Sequence, residues 1–288
     1  MIRAGGDYEL RSRIGDVAVV ALCGMYSPKD EQFQPEYIGV KRYLSVADGK
    51  TYRADIVCDR PLDRTLDVKL RNPVYAPGGP NINRAEVYWD FGFSGVFPSP
   101  TDATGQGKLL KVSDQPPLTG NLSGVELTVV AGSFTGERSP STQMHVSGVT
   151  DYDTPVVMPP LLDVPEPASP RAGGEVEGRR IRFQAATPPE PDMYSIYLLD
   201  QKGRPFWRYL MSGDSNTIQL PSFPDFSYLP RDRRPDPFSA DEGHILIFAI
   251  EGDRVAFDDF SYADLSSSKW RGYAITRWGL TFPSAKRD

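Results

Sequence analysis

Side chains that could catalyse a reaction are sparse in this 288-residue chain, which contains two histidines, His145 and His244. A serine nucleophile activated by histidine would need one of them as its general base. His145 lies in an alternating segment that predicts a strand, and His244 begins an apolar run. Ser94 is followed directly by glycine, so the Gly-x-Ser-x-Gly spacing of a nucleophile elbow is absent. We predict that both histidines are structural and that the protein is not an enzyme, with an enzyme of unrecognised type as an alternative.

Carboxylates could bind a metal where Asp151 and Asp153 flank a tyrosine, just before a proline-rich stretch. Calcium takes six to eight oxygen ligands, and carboxylates at a junction between β-domains can supply some of them. Two carboxylates are too few to define such a site, so charged residues on a surface loop are the alternative. Apart from this structural calcium, the sequence indicates no cofactor.

The two cysteines, Cys23 and Cys58, each end a predicted strand and lie on faces that could meet in one core. A disulfide between them would require Cα atoms within about 7 Å and would indicate an oxidising compartment. Two buried free thiols are the alternative. The spacing matches no zinc motif, and no Cys-x-x-Cys is present.

Aromatic side chains are the remaining candidates for a binding site. They crowd three segments of the chain, where a flat ring surface could bind a sugar or a protein partner. Packing in the core is the alternative for each of them. The candidate binding residues are Trp89, Phe91, Phe93, Trp207, Trp270 and Trp278.

Charge and hydropathy limit the classes of partner that the protein could bind. The formal net charge is −6, which disfavours nucleic acid because such binding needs a basic face. The apolar run at residues 17–23 is too short to cross a bilayer. We expect no membrane-spanning segment, and a partner that is another envelope or extracellular protein, or a glycan.

The elements that would position these residues are short strands separated by turn residues, with weak helical signals throughout. Prolines punctuate residues 155–170, where they disfavour helices and central strands. The pattern predicts an all-β protein of two β-sandwich domains in tandem. Its segments are an N-terminal domain at residues 1–150, a proline-rich linker and lead-in at 151–170, and a second domain at 171–288. Strands are predicted at residues 16–23, 37–46, 51–58, 65–70, 84–93, 108–112, 125–131, 142–149, 179–185, 193–200, 205–211, 216–220, 244–251 and 271–282.

The second half resembles the fibronectin type III and related immunoglobulin-like sandwiches over about residues 159–283. The resemblance rests on residues 159–165 (PPLLDVP), 181–183 (IRF), 194–196 (YSI), 216–221 (NTIQLP), 247–250 (IFAI) and the aromatic last strand. Phe183 stands where the family usually has a core tryptophan, and the family's tyrosine corner is missing beside His244. The resemblance implies a sandwich fold that hosts adhesion, scaffolding and receptor functions without shared chemistry.

The expected function is that of a noncatalytic structural, adhesion or assembly module in a secreted or cell-envelope protein, including a lipoprotein, acting through protein–protein contacts. The alternative is a carbohydrate-binding module that uses an exposed aromatic platform. The expected location is extracytoplasmic: periplasmic, attached to the outer membrane, or secreted.

Overall fold

The computed structural model describes residues 8–73, 80–136, 139–184, 189–220, 242–252, 257, 260–261 and 269–282. Within these ranges the regular elements are β-strands and three 3₁₀ turns of three residues each, without an α-helix. The strands assemble into several sheets. The predicted all-β class is therefore confirmed.

The chain forms two compact units that alternate along the sequence. Unit 1 comprises residues 1–71, 83–131 and 145–159, and unit 2 comprises residues 72–82, 132–144 and 160–288. The sequence prediction of separable domains joined at residues 151–170 stays a prediction, because contacts within the folded chain do not test whether either part folds alone.

The strands of unit 1 belong to three sheets. One has the order β1-β2-β3, another β10-β4-β7, and strands β9-β8-β5-β6 lie side by side in the third. The strands lying wholly or mostly in unit 1 are β1 (Gly15–Ser27), β2 (Gln32–Val46), β3 (Arg60–Pro61), β4 (Arg64–Lys69), β5 (Ile82–Asp90), β6 (Val96–Gly105), β7 (Leu109–Gln115), β8 (Glu126–Phe134), β9 (Ser141–Val149) and β10 (Val156–Val157).

Strand β5 shows why the alternating sequence folds in this way. Successive side chains of a strand point to opposite faces, so one face can be apolar and the other polar. Ala85, Val87 and Trp89 are buried on one face. Arg84, Glu86 and Tyr88 lie on the opposite face and are partly or fully exposed. The strand therefore contributes to the core and presents polar groups to the solvent.

Unit 2 contains a three-stranded sheet of order β11-β12-β15 and four consecutive strands of order β14-β13-β16-β17. Residues 141–144 of β9 also pair with β17, at Gly272 to Ile275. The remaining strands are β11 (Glu166–Ser169), β12 (Arg180–Gln184), β13 (Met193–Leu199), β14 (Pro205–Ser212), β15 (Thr217–Gln219), β16 (Glu242–Gly252) and β17 (Trp270–Thr281).

One hydrophobic core in unit 2 takes side chains from both of these sheets. Ile181 and Phe183 of β12 join residues of β13, β16 and β17 in a single buried cluster. The Phe183 and Tyr194 rings meet edge to face, with centroids 4.9 Å apart. Burial of large aromatic and aliphatic side chains is the main favourable term that holds the two sheets together.

The proline-rich stretch at residues 155–170 carries more buried side chains than a surface linker would. Met158 and Leu161 are fully buried, and Leu162 belongs to the unit 2 core. The stretch also forms β10, which pairs in parallel with β4, and β11, which pairs with β12. Prolines are tolerated in short edge strands, so this proline-rich stretch can form β10 and β11 and still pack against its neighbours.

The predicted strand at residues 51–58 is not a strand in the structure. The alternation that suggested it is present, since Ala54, Ile56 and Cys58 are half-buried between exposed neighbours. A Cβ atom added at Gly39 would collide with Ile56 and with the Val57 carbonyl, so this segment lies directly against β2. An alternating pattern shows only that one face of a segment is buried. Residues 51–58 bury one face without pairing as a strand.

Residues 98–107 lie outside the predicted strands, but most of them belong to β6 in the structure. Pro98 and Pro100 suggested a break because proline cannot donate a hydrogen bond to a ladder. Strand β6 ends the order of its sheet, where missing donors are tolerated. Pro100 also lies in a bulge of β6, where it has no partner on β5 and its missing donor breaks no pair in the ladder.

Candidate functional site

The six aromatic residues predicted to bind a ligand lie in different surroundings. Trp89 and Phe91 are buried, and Trp278 is a member of the unit 2 core. Trp270 is half-buried and packs against Tyr273 and Phe248. Phe93 is 96% exposed and Trp207 is 37% exposed. Buried rings cannot stack on a ligand, so Trp89, Phe91 and Trp278 do not form an exposed platform.

Phe93 leaves the face of Trp89 because the strand ends at Asp90. Residues Gly92–Ser94 form a 3₁₀ turn, and Gly92 has a φ of 65°, which favours glycine. Strand alternation through residues 89–93 would place Trp89, Phe91 and Phe93 on one face, but the alternation stops at this turn. Phe93 therefore projects into solvent, away from its predicted neighbours.

Both histidines lie on strands, as the sequence analysis expected. Burial lowers the pKa of His145 on β9. His244 on β16 is half-buried, and its Nδ1 atom is buried without a hydrogen-bond partner. A lowered pKa favours the neutral imidazole near neutral pH.

Asp151 stabilises a turn through its side chain. Its Oδ1 atom accepts hydrogen bonds from the backbone N–H of Asp153, at 3.1 Å, and of Thr154, at 3.0 Å. Asp151 and Asp153 are both exposed. In the described part of the chain, no group of three or more His, Cys, Asp or Glu side chains could hold a metal ion.

Cys23 and Cys58 form a disulfide with their Cα atoms 6.2 Å apart. Cys23 is on β1, opposite Tyr37 of β2. Cys58 ends the half-buried segment that follows the turn at residues 47–50. The bond fastens this segment to the β1–β2 ribbon within unit 1.

A groove of about 500 Å³ opens on the polar face of strands β5 and β6. It is lined by Arg84, by residues 86–88 and by residues 98–102. Two flanking pairs, Glu86 with Asp102 and Tyr88 with Pro98, are in register. Between them, the single residue Val87 of β5 faces three residues of β6, at positions 99–101. This bulge bends β6 away from β5 and leaves the concave surface.

An ionic network lies along the groove. Arg84 contacts Glu86 Oε1 at 2.8 Å and Asp102 Oδ2 at 2.6 Å. The Tyr88 hydroxyl donates to Glu86 Oε2 at 2.7 Å. The side chains of Arg84, Glu86 and Asp102 are 44%, 31% and 41% exposed, so a ligand in the groove can reach them.

The network offers charged and neutral groups that can hold a polar ligand. Burial and the hydrogen bond to Glu86 raise the pKa of Tyr88 to about 12, so its phenol stays neutral at physiological pH. Arg84 contributes a guanidinium with several N–H donors. The network thus presents a fixed cation, two carboxylates and a neutral phenol, which can hold a ligand in one orientation.

Buried side chains support the groove from below. Gln115 donates from Nε2 to the Ser99 hydroxyl at 2.7 Å and accepts at Oε1 from Trp89 Nε1 at 3.0 Å. The Thr101 hydroxyl donates to the Ser113 carbonyl at 2.6 Å. The bulged residues of β6 are therefore fastened to β7, which keeps the groove preformed.

A second exposed feature is the distal part of the β1–β2 ribbon, residues 24–37, which we call the arm. Tyr26 and Phe33 form a cross-strand pair, and each is 41% exposed. Met25 lies on the opposite face of the strand and is 62% exposed. Apolar side chains are exposed on both faces of the arm, and grouped exposed apolar residues mark interaction surfaces.

Comparison with protein-family models and with curated proteins found no match to this sequence. Neither the groove nor the arm therefore inherits a ligand or a partner from a known family. No helix in the described ranges is long and apolar enough to cross a membrane.

Sequence reasoning missed the groove residues Arg84, Glu86 and Asp102. The signal for the first two was present, because they alternate with Ala85 and Val87 on a strand whose other face is apolar. Asp102 lay outside the predicted strands, so its pairing with Glu86 across β5 and β6 could not be foreseen. The groove itself depends on the bulge in β6, which has no distinct sequence signature.

Buried tyrosines predict a loss of stability at alkaline pH. Burial raises the pKa of Tyr88, Tyr194 and Tyr209 to about 12, above the ordinary value of 10.0. Below pH 10 the phenols are protonated in both the folded and the unfolded chain, and their contribution to the free energy of unfolding is fully present. As the pH rises toward 12, the unfolded chain releases these protons first, so the free energy of unfolding falls.

Urea denaturation at a series of pH values from about 9 to 12 measures this effect. We expect Tyr88→Phe to make the decline shallower. Tyr43→Phe, which alters a tyrosine that is 75% exposed, is the control. A free energy of unfolding that stays constant across this range would contradict the prediction.

Proposed function

We propose that this protein is a noncatalytic structural or assembly module of a secreted or cell-envelope protein, and that it acts through protein–protein contacts at the arm. The observation that carries the proposal is the exposure of Met25, Tyr26 and Phe33 on a two-stranded ribbon. A hairpin that exposes apolar residues on both faces gains stability when a partner covers them.

The length of the paired ribbon supports a role in contact with another protein. Strands β1 and β2 comprise 13 and 15 residues and pair from Gly15 to Ser27. The described part of β3 pairs only with Tyr37 and Ile38 of β2. Among the strands that the structure describes, most of the arm pairs only within the ribbon, and most of its side chains are exposed.

The Cys23–Cys58 bond supports an extracytoplasmic location. Disulfides form and persist in secreted and periplasmic proteins and are rare in the reducing cytosol. This bond lies at the base of the arm, where it would preserve the ribbon after export.

Strand order supports a fibronectin type III-like sandwich for unit 2. Counted from β11, the first, second and fifth strands form one sheet, and the third, fourth, sixth and seventh lie side by side in another. Seven antiparallel strands in two sheets around one core are typical of the immunoglobulin-like sandwiches. Such domains commonly serve as spacers and adhesion modules, in keeping with a noncatalytic role.

Site-specific photo-crosslinking in the native cell tests the proposal. A photoreactive phenylalanine analogue replaces Phe33 in one variant and Phe93 in another, which is the matched control because it is 96% exposed outside the arm. We expect the Phe33 position to give a discrete adduct with one protein and the Phe93 position to give none. Absence of an adduct at Phe33, or the same adducts at both positions, would contradict the assembly role.

Once that protein is identified, the double variant Tyr26→Ser/Phe33→Ser measures the contribution of the arm. Aromatic residues at the centre of an interface commonly contribute about 2 kcal/mol or more each, so loss of both should weaken binding by at least about a hundredfold. Tyr43→Ser, which removes a more exposed tyrosine of β2 outside the arm, should leave the affinity unchanged. Equal affinities for all three chains would place the contact elsewhere.

A further inference from the structure

We propose that the groove between β5 and β6 is a binding site for a neutral carbohydrate, held by Arg84, Glu86, Tyr88 and Asp102. This site is separate from the arm and uses none of the aromatic residues predicted from the sequence as a sugar platform. Its volume of about 500 Å³ is within the range of sites that bind small ligands.

The groove supplies both hydrogen-bond donors and acceptors. A sugar hydroxyl is both a donor and an acceptor, so adjacent hydroxyls are best bound by neighbouring groups of both kinds. Arg84 supplies N–H donors between the carboxylate acceptors of Glu86 and Asp102. Planar, charged groups make stronger hydrogen bonds than neutral ones, which offsets the loss of water from the hydroxyls.

The side chains of the groove are preorganised. Arg84 is held by two carboxylates, and Glu86 is held by both Arg84 and Tyr88. These contacts fix side chains that would otherwise lose rotamer freedom when a ligand binds. The β6 wall is likewise fixed through Ser99 and Thr101. A weak, polar ligand benefits most from a site that does not need to reorganise.

The network in the groove carries a net negative charge. One arginine and two carboxylates give the network a formal charge of −1, which disfavours phosphate, sulfate and carboxylate ligands. A cationic ligand would have to approach the guanidinium of Arg84, which already occupies the place between the two carboxylates. A neutral polyhydroxylated ligand is repelled neither by the carboxylates nor by the guanidinium of Arg84.

Part of the groove lining is apolar. The half-buried ring of Tyr88 and the proline rings at positions 98 and 100 line the same groove. The C–H face of a pyranose packs on such surfaces while its hydroxyls are bound at the rim. The groove therefore offers both chemical faces that a sugar ring requires.

The test is binding of the full chain to an array of neutral oligosaccharides of hexoses, pentoses and N-acetylhexosamines, with an oligolysine peptide and sulfated glycans on the same surface. We expect one or more neutral glycans to bind. In calorimetric titration with the strongest of them, Asp102→Asn and Tyr88→Ala should each weaken binding at least about tenfold, as expected for loss of a charge-assisted hydrogen bond or of a stacked ring.

Two controls separate binding from folding. Asp55→Asn, in an exposed pair with Arg53, and Tyr43→Ala should leave glycan affinity unchanged. If Tyr88→Ala does not fold, Tyr88→Phe with Asp102→Asn replaces it, since the ring is then retained and only polar contacts are removed. The proposal is overturned if no neutral glycan binds, if only oligolysine or sulfated glycans bind, or if the groove variants bind like the controls.

Discussion

Replacing both Cys23 and Cys58 by serine is expected to lower the free energy of unfolding by about 3–4 kcal/mol. The disulfide joins positions 35 residues apart, and a loop of this length restricts the unfolded chain considerably. It also holds the segment at residues 51–58 against β2, where that segment has no ladder of its own. The variant should therefore expose this segment and the base of the arm more readily.

Urea denaturation of the parent chain and the double variant, each with and without dithiothreitol, measures the loss. The reductant should shift the midpoint of the parent chain toward that of the variant and leave the variant unchanged. Coincident transitions for the oxidised parent and the variant would show that the bond contributes nothing to stability.

Trp89→Ala is expected to cost about 3–5 kcal/mol of unfolding free energy, the cost of truncating a large buried aromatic side chain. Trp89 is fully buried, and its ring stacks on Phe97 at a centroid distance of 5.7 Å. The substitution also removes the donor to Gln115, a fully buried side chain whose acceptor would be left unsatisfied.

Phe93→Ala is the matched control, since it truncates an aromatic side chain that is 96% exposed nearby in sequence. Its effect on thermal and urea midpoints should be within about 0.5 kcal/mol. Similar losses for the two variants would mean that Trp89 is not part of the core as the structure shows it.

Where a strand has one buried and one solvated face, the sequence was sufficient to predict it. The alternation at Leu66 and Val68 predicted β4, and the run from His244 to Glu251 predicted most of β16. Periodicity could not separate a paired strand from a half-buried extended segment, so residues 51–58 were assigned incorrectly. It also could not recognise a strand in which Pro98 and Pro100 are accommodated by a bulge.

The candidate sites were harder to predict because they depend on contacts between distant residues. The aromatic composition around Trp89 indicated either a core or a platform, and only burial distinguishes the two. The network of Arg84 and Asp102 requires knowledge of which residues β5 places opposite β6. No local pattern encodes that register, since it follows from the bulge.

The alternation of the two units along the chain has a consequence for synthesis on the ribosome. The chain passes from one unit to the other after residues 71, 82, 131, 144 and 159. Unit 1 therefore lacks a part of itself until residue 159 has left the exit tunnel. Unit 2 must keep its two early segments available while more than a hundred later residues are added, and its nascent strands must wait for partners encoded far downstream. Because the chain is synthesised from its N-terminus, these early segments could pair with the wrong strands before their native partners are made.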